Sequence, residues 1–304
     1  MNVTLLVNPA ARGGAHTGSA TRAAERLRAR DVRTTIISGG SAAESSELLR
    51  TAVALGTDAV VVAGGDGTVH LAIQELAGTG VPLGVIPVGT GNDMASALGL
   101  RELDVEAAAD AIVDGQTRLI DLARVTRVDG STAFFGTVLA SGFDSRVNDR
   151  ANAMRWPRGG SRYNIAILIE FLTLRGIPYE VDMILADGTP ERIVGDLVMG
   201  TVGNGRTYGG GIPICPDADP ADGLLDVVLV RPAGRLRLLR LLPRVYKGTH
   251  AGVAEVSMRR VRSARLSAPG VTAYADGDPI GALPLTIDVV PRSLTVFASS
   301  PDRG

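Results

Sequence analysis

Cysteine is nearly absent from this chain: among 304 residues only Cys215 carries a thiol. That excludes an intramolecular disulfide and a multi-cysteine zinc site. Lysine is equally scarce, since Lys247 is the only one among 31 basic residues and the rest are arginine. No Gly-Lys pair exists, so a Walker-type phosphate loop, whose lysine directly follows its second motif glycine, is excluded. Long apolar runs are missing too. The most apolar stretches, 164–174 and 226–230, are interrupted by polar residues or fall far short of the ~20 residues a bilayer-spanning helix needs. The N-terminus, MNVTLLVNPAARGG, has no basic region followed by a long apolar one, so no secretory signal is expected. A cytoplasmic protein is expected from these absences. Excess charge of one sign is also lacking: 31 basic against 32 acidic residues leave −1, which argues against a disordered polyelectrolyte or a wholly basic nucleic-acid binder. The three histidines, His16, His70 and His250, have no metal-ligand spacing.

What is present is alternation. Apolar runs at 3–7, 34–38, 58–64 and 81–89 read as strands, and the segments between and after them read as helices: at 19–30, in 39–55 after a loop, at 69–78, in 90–100 after a turn, and at 105–115. This predicts an α/β N-terminal lobe with a parallel, helix-covered sheet over residues 1–125. From 126 to 290 the chain changes to short apolar runs punctuated by Gly, Pro and Asp, which predicts a strand-rich antiparallel sandwich interrupted by helices near 161–175 and 234–247. The last segment, 291–304, contains a run at 293–299 that suits either lobe and is expected to return to the first.

Two glycine clusters stand at the carboxyl ends of expected parallel strands. Gly64, Gly65, Asp66, Gly67 and Thr68 join a buried strand to a helix start, where backbone amides can converge on an anion without a lysine. A plain turn with Thr68 as helix cap is the alternative. Gly89, Thr90, Gly91, Asn92 and Asp93 repeat the arrangement one unit later, so both would line one crevice. Asp93 suits a helix cap, a ribose hydroxyl or a metal-bound water. Asp66 beside a phosphate calls for a divalent cation to offset their repulsion.

GGDGT at 64–68, PVGTGNDMASALG at 87–99, the N-terminal VNPAARGG, VGNGRTYGGG at 202–211, DADPADGLLDV at 217–227 and DGD at 276–278 together resemble the diacylglycerol kinase catalytic-domain family, in its soluble bacterial lipid-kinase branch. The likeness covers nearly the whole chain, and NAD kinases share GGDGT and the lobe arrangement. It implies a kinase with ATP between the lobes that phosphorylates diacylglycerol to phosphatidic acid. Another lipid alcohol, NAD, or a catalytically weak nucleotide-binding membrane module are the alternatives. The resemblance implies nucleotide contacts from Asn8, Pro9, Ala10, Ala11 and Arg12, from Ser38, from Gly64 through Val69 and His70, and from Thr90, Gly91, Asn92 and Asp93. Arg12 would grip two phosphate oxygens in place of the missing lysine, unless it is simply solvated. Asp66 and Asp93, with Asp121, would organise catalytic Mg2+, and Asp219, Asp222 and the Leu224 carbonyl would hold a structural Mg2+, unless that turn is only solvated.

Asp278 is the candidate general base for the lipid hydroxyl, with Asp276 orienting it or assisting the metal, although DGD alone is also a common hairpin turn. The family usually has glutamate at the second acid, one methylene longer than Asp278. His70-Leu71 is another departure, since relatives commonly carry Asn-Glu there. Finally, residues 231–265 hold ten basic side chains against the single Glu255, so the neutral average hides a segregation. Leu238, Leu239, Leu241 and Leu242 among those arginines suit either the core of the second lobe or an interfacial helix that meets anionic phospholipid. An exposed edge strand in the second lobe would support a homodimer.

Overall fold

A computed structural model describes residues 1–7, 15–154, 156 and 161–298, without the side chains of 15–17, 161, 163 and 164. The first lobe runs β1 (Asn2–Val7), α1 (Ala15–Ala29), β2 (Arg33–Ile37), α2 (Ala42–Ala54), β3 (Ala59–Gly64), α3 (Asp66–Leu76), β4 (Leu83–Pro87), α4 (Asp93–Ala97) and α5 (Val105–Val113). Its strands pair in parallel in the order β2-β1-β3-β4. All six residues of β3 are buried, which is why the sequence there is continuous AVVVAG rather than alternating: helices cover both faces. Ser41 caps α2 by accepting from the Glu44 amide, and Asp104 caps α5 by accepting from that of Ala107. On the surface, Arg22 and Arg26 of α1 and Arg30, just after it, ladder onto Glu106, Asp110 and Asp114 at 2.5–2.8 Å. The four-residue spacing on both sides lets one face of α1 meet α5 and the residue that follows it.

The second lobe contains β5 (Thr117–Thr126), β6 (Thr132–Phe135), β7 (Val138–Gly142), α6 (Phe143–Ala153), α7 (Ser161–Leu172), β8 (Ile177–Leu185), β9 (Pro190–Leu197), β10 (Met199–Gly203), β11 (Leu225–Val230), α8 (Arg235–Tyr246), β12 (Val256–Ser267), β13 (Thr272–Ala275), β14 (Asp278–Ala282) and β15 (Leu285–Phe297). One ladder follows β14-β13-β7-β10-β11-β12-β15, and it branches where β12 also pairs β8 and β15 also pairs β5. The branching folds the antiparallel strands into two layers around one core containing Phe135, Tyr179, Val202, Leu225, Leu266 and Ile287. β15 then leaves this core. Its register on β5 shifts between Val290 and Leu294, and Val296 pairs in parallel with Leu83 of β4. A single strand therefore belongs to both lobes, which explains why its sequence suited either.

Among the described residues no helix is long and apolar enough to cross a membrane. The helix expected from 69 begins three residues earlier, at Asp66, and α6 was not anticipated: its sequence, FDSRVNDRANA, has too few apolar positions to mark a helix.

Candidate active site

The two glycine turns meet backbone to backbone. A Cβ on Gly89 would stand 2.5 Å from the Gly65 Cα, so only glycine there lets the β3 and β4 turns close on each other, and a Cβ on Gly91 would press on Asp66 Oδ2. Asn92, in the left-handed region at φ 55, fastens the second turn by accepting from the Gly89 amide and donating to its carbonyl. Gly65 occupies the N-cap of α3 and supplies no side-chain cap, so Thr68 is not the cap: it lies inside the first turn, buried against Gly64. The α3 N-terminus thus presents its positive dipole end and amides to the crevice.

Four carboxylates gather at this mouth. Asp66 Oδ1 accepts from the Met94 amide at 3.3 Å, and burial, then the proximity of Asp93, raise its carboxyl above the usual range. Asp93 is buried, and its two oxygens accept from the amides of Gly210 and Gly211 at 2.9 and 2.8 Å. These glycines have φ of 88 and 108, values an L side chain rarely adopts, so the GGG run is what turns its amides toward the first lobe. Asp93 is therefore a clasp between lobes, a role the sequence did not reveal.

Asp276 begins the β13–β14 turn at φ 51. Its side chain is nearly sealed from solvent and accepts from the Gly136 amide (3.0 Å), the Thr137 amide (2.9 Å), the Thr137 hydroxyl (2.6 Å) and His70 Nδ1 (3.1 Å). Burial opposes its charge, but His70, Thr137 and Gly136 outweigh it and hold the carboxyl below the usual range. His70 in turn is raised, because the Asp276 carboxylate outweighs the burial that would lower it. Asp278, two residues on, is half-buried and its Oδ2 lies 3.5 Å from where a Cβ on Gly67 would stand, facing the first turn of α3. Burial raises its carboxyl, His70 pulls it down and Asp276 adds to the rise.

The other sequence-derived positions are distributed as follows. Ser38 is exposed just after β2 and Thr90 is exposed in the second glycine turn. Val69 is 2% exposed in the first-lobe core, so its side chain faces away from the crevice and only its backbone is available to a nucleotide. Asn8, Pro9, Ala10, Ala11 and Arg12 lie outside the described residues. Asp121 lies against the acidic turn, where its oxygens accept from the Gly223 and Arg292 amides at 2.7 Å each. In that turn Asp219 and Asp222 accept from the amides of Ala221 and Leu224, both at 3.0 Å, and Asp222 pairs with Arg260. No group of three or more His, Cys, Asp or Glu side chains among the described residues is arranged to hold a metal ion. Asn204, of the GNG motif, is buried and donates to the carbonyls of Asp121 and Gly136 at 2.9 Å each, joining β5 to the β6–β7 turn. Tyr208 donates to Asp144, the second residue of α6, at 2.8 Å. Neither contact has a periodicity or spacing that would announce it beforehand.

A parallel-sheet lobe and a branched antiparallel lobe, with glycine turns facing a carboxylate hairpin, define a two-lobed protein of the NAD-kinase and diacylglycerol-kinase-like fold class. Residues 2–125 match the family model "Diacylglycerol kinase catalytic domain", and residues 137–298 match "YegS C-terminal NAD kinase beta sandwich-like domain". The chain belongs to the diacylglycerol kinase catalytic-domain family. It is 50% identical over 97% of its length to a protein of Mycobacterium tuberculosis (strain ATCC 25618 / H37Rv) named "Diacylglycerol kinase", 94% of which is covered. It is 33% identical over 90% of its length to a "Probable lipid kinase YegS-like" of Pseudomonas syringae pv. tomato, 86% of which is covered. A crystal structure of a diacylglycerol kinase from Bacillus anthracis str. Sterne has the same fold, with a TM-score of 0.72 at 21% identity over 98% of this chain and 97% of that one.

Proposed function

We propose that this chain is an ATP- and magnesium-dependent lipid kinase that transfers the γ-phosphoryl group to the hydroxyl of diacylglycerol, giving phosphatidic acid. The name of its mycobacterial relative supports the choice of acceptor. The observation that carries the reaction type is the approach of Asp278 to the uncapped first turn of α3, beside Asp66.

The glycine turns suit a triphosphate, because the closeness of Gly65, Gly89 and Gly91 leaves backbone where a side chain would obstruct. The same crevice suits Mg2+, which is commonly bound by one or two carboxylates and the substrate phosphates: Asp66 Oδ1 is taken by an amide while Oδ2 faces the Gly91 turn. When bound, that ion neutralises charge on the phosphate oxygens. Asp278 then accepts the proton of the lipid hydroxyl as its oxygen bonds to the γ-phosphorus and the bond to the β–γ bridging oxygen breaks, releasing ADP. The raised carboxyl of Asp278 makes it a stronger base than an exposed aspartate, and the hairpin brings this shorter acid up to α3. Asp276, filled by four donors, positions that hairpin.

Asp278→Asn tests the assignment. Turnover of diacylglycerol should fall by about 10²–10⁴-fold with little change in melting temperature and retained ATP binding. Near-parental turnover in a folded variant overturns the base assignment. Purified protein with labelled ATP and a panel of diacylglycerol, monoacylglycerol, sphingosine, ceramide and NAD tests the acceptor, and label on another acceptor with none on diacylglycerol overturns it.

A further inference from the structure

Helix α8 carries two apolar stripes where one would suffice to dock it. Leu238 and Leu241 are each 7% exposed and pack in one cluster with Phe171 and Leu174 at the end of α7. Leu236, Leu239, Leu242 and Tyr246, spaced by three or four residues, are 70, 53, 39 and 63% exposed. At 100° per residue they form a second stripe turned away from the lobe. The start of α8 is tied to α7 by Arg235, which donates to the Leu172 carbonyl at 2.7 Å. Leu172 and Leu168, one turn apart on α7, are themselves 54 and 56% exposed, so outward leucines stand on both sides of that bond.

The cations beside this stripe differ from those further along. Arg259 pairs with Glu191, Arg260 with Asp222, and Arg262 donates to the Ala186 carbonyl, so most of the basic charge on β12 is used within the protein. On α8, Arg237 pairs with Glu255 at 2.9 Å. Arg240, Arg244 and Lys247 are exposed and make no ion pair among the described residues, and residues 231–250 contain no acid. These three fall on the flank of the outer apolar stripe. Within 231–265 the expected lipid contact therefore narrows to α8 and the lysine that follows it.

We propose that α8, together with the exposed end of α7, lies along the surface of a bilayer that carries anionic headgroups. The outer leucines and Tyr246 enter the headgroup–acyl boundary while Arg240, Arg244 and Lys247 pair with the headgroups. Charge selects this occupant over a second copy of the chain, because an isologous contact would press the same unpaired cations together. The proposal deepens the lipid-kinase reading and rests on it for the substrate's location. It also links the surface to the site: α6 packs on α7, and Asp149 of α6 accepts at 2.5 Å from Tyr274, two residues before Asp276.

The test uses the full chain without ATP, on phosphatidylcholine vesicles with and without phosphatidylglycerol, in sedimentation assays. Binding should be at least about tenfold tighter with phosphatidylglycerol, and the Arg240→Glu/Arg244→Glu double variant should lose about thirtyfold or more. The Leu236→Ser/Leu239→Ser double variant should weaken binding to both vesicle types. Both variants should phosphorylate a water-soluble short-chain diacylglycerol at the parental rate while losing turnover on vesicle-borne diacylglycerol. Equal binding to both vesicle types, or parental binding by both variants, overturns the proposal. So does a parental dimer that the leucine variant converts to monomer without changing vesicle binding, which would assign the face to a second copy. Vesicle binding as expected with no acceptor labelled leaves this surface standing and overturns the kinase reading instead.

Discussion

At the residue scale the β13–β14 turn depends on one buried carboxylate. Asp276 accepts four hydrogen bonds, and this is possible only while both of its oxygens are unprotonated acceptors. Asp276→Asn replaces one oxygen by a donor facing Thr137 or Gly136, so about 2–4 kcal/mol of stability should be lost, visible as a lower melting temperature. His70 acts through the same network. Its partial positive character pulls the Asp278 carboxyl down against burial, so His70→Ala should move the acidic limb of the kcat/KM profile to higher pH, because the base then holds its proton more tightly. An unmoved limb would mean that His70 only packs. The departure from Asn-Glu was visible in the sequence. Its consequence was not, because His70 and Asp276 are 206 residues apart and meet only after β13 pairs with β7.

At the element scale α6 is the least legible and most testable part. The helix follows a glycine at φ 91 and has Asp144 in its first turn, where the dipole favours a negative charge. Burial nevertheless raises that carboxyl to about 6, with the Tyr208 hydroxyl opposing the rise. The folded state therefore binds a proton there that the unfolded chain, titrating near 4, releases earlier. A raised group contributes stability that is present at low pH and is lost as pH climbs through the window from ~4 to ~6, here up to about 3 kcal/mol. Asp144→Asn should keep the acceptor for Tyr208 and flatten this part of the stability profile, measured by urea unfolding at several pH values. An unchanged slope between parent and variant would remove Asp144 as its source. The periodic strands and helices of the first lobe were readable because burial on both faces writes continuous apolar runs into the chain. In α6 the apolar stripe of Phe143, Val147 and Ala151 is short and set among charged and polar residues, and the helix is further held by polar tertiary contacts, to which hydrophobic periodicity is blind.

At the scale of the whole molecule, two of the connections between lobes differ in how far the sequence foreshadows them. Nothing in the sequence announces Asp93 on Gly210 and Gly211, whereas the apolar run at 293–299 suits either lobe and is expected to return to the first. Leu294 and Val296 lie in the core on one face of the first-lobe sheet, and Phe297 lies in the core on the other. Each is at most 4% exposed. β15 also supplies the ladder partner of β5 along Thr117–Ile120 and Leu122–Thr126. A fragment ending at residue 125 would contain β1 to β4 and still leave holes on both faces of their sheet and a β5 without its β15 partner. Burial of three such side chains contributes about 5–9 kcal/mol, comparable with the total stability of about 5–15 kcal/mol of an ordinary domain. Residues 1–125 expressed alone should therefore fail to unfold cooperatively, and a peptide spanning 285–298 should restore a cooperative transition when added in excess. Circular dichroism during thermal unfolding, with and without the peptide, distinguishes the outcomes. A cooperative transition of the fragment alone would show that the parallel lobe is closed without its borrowed strand.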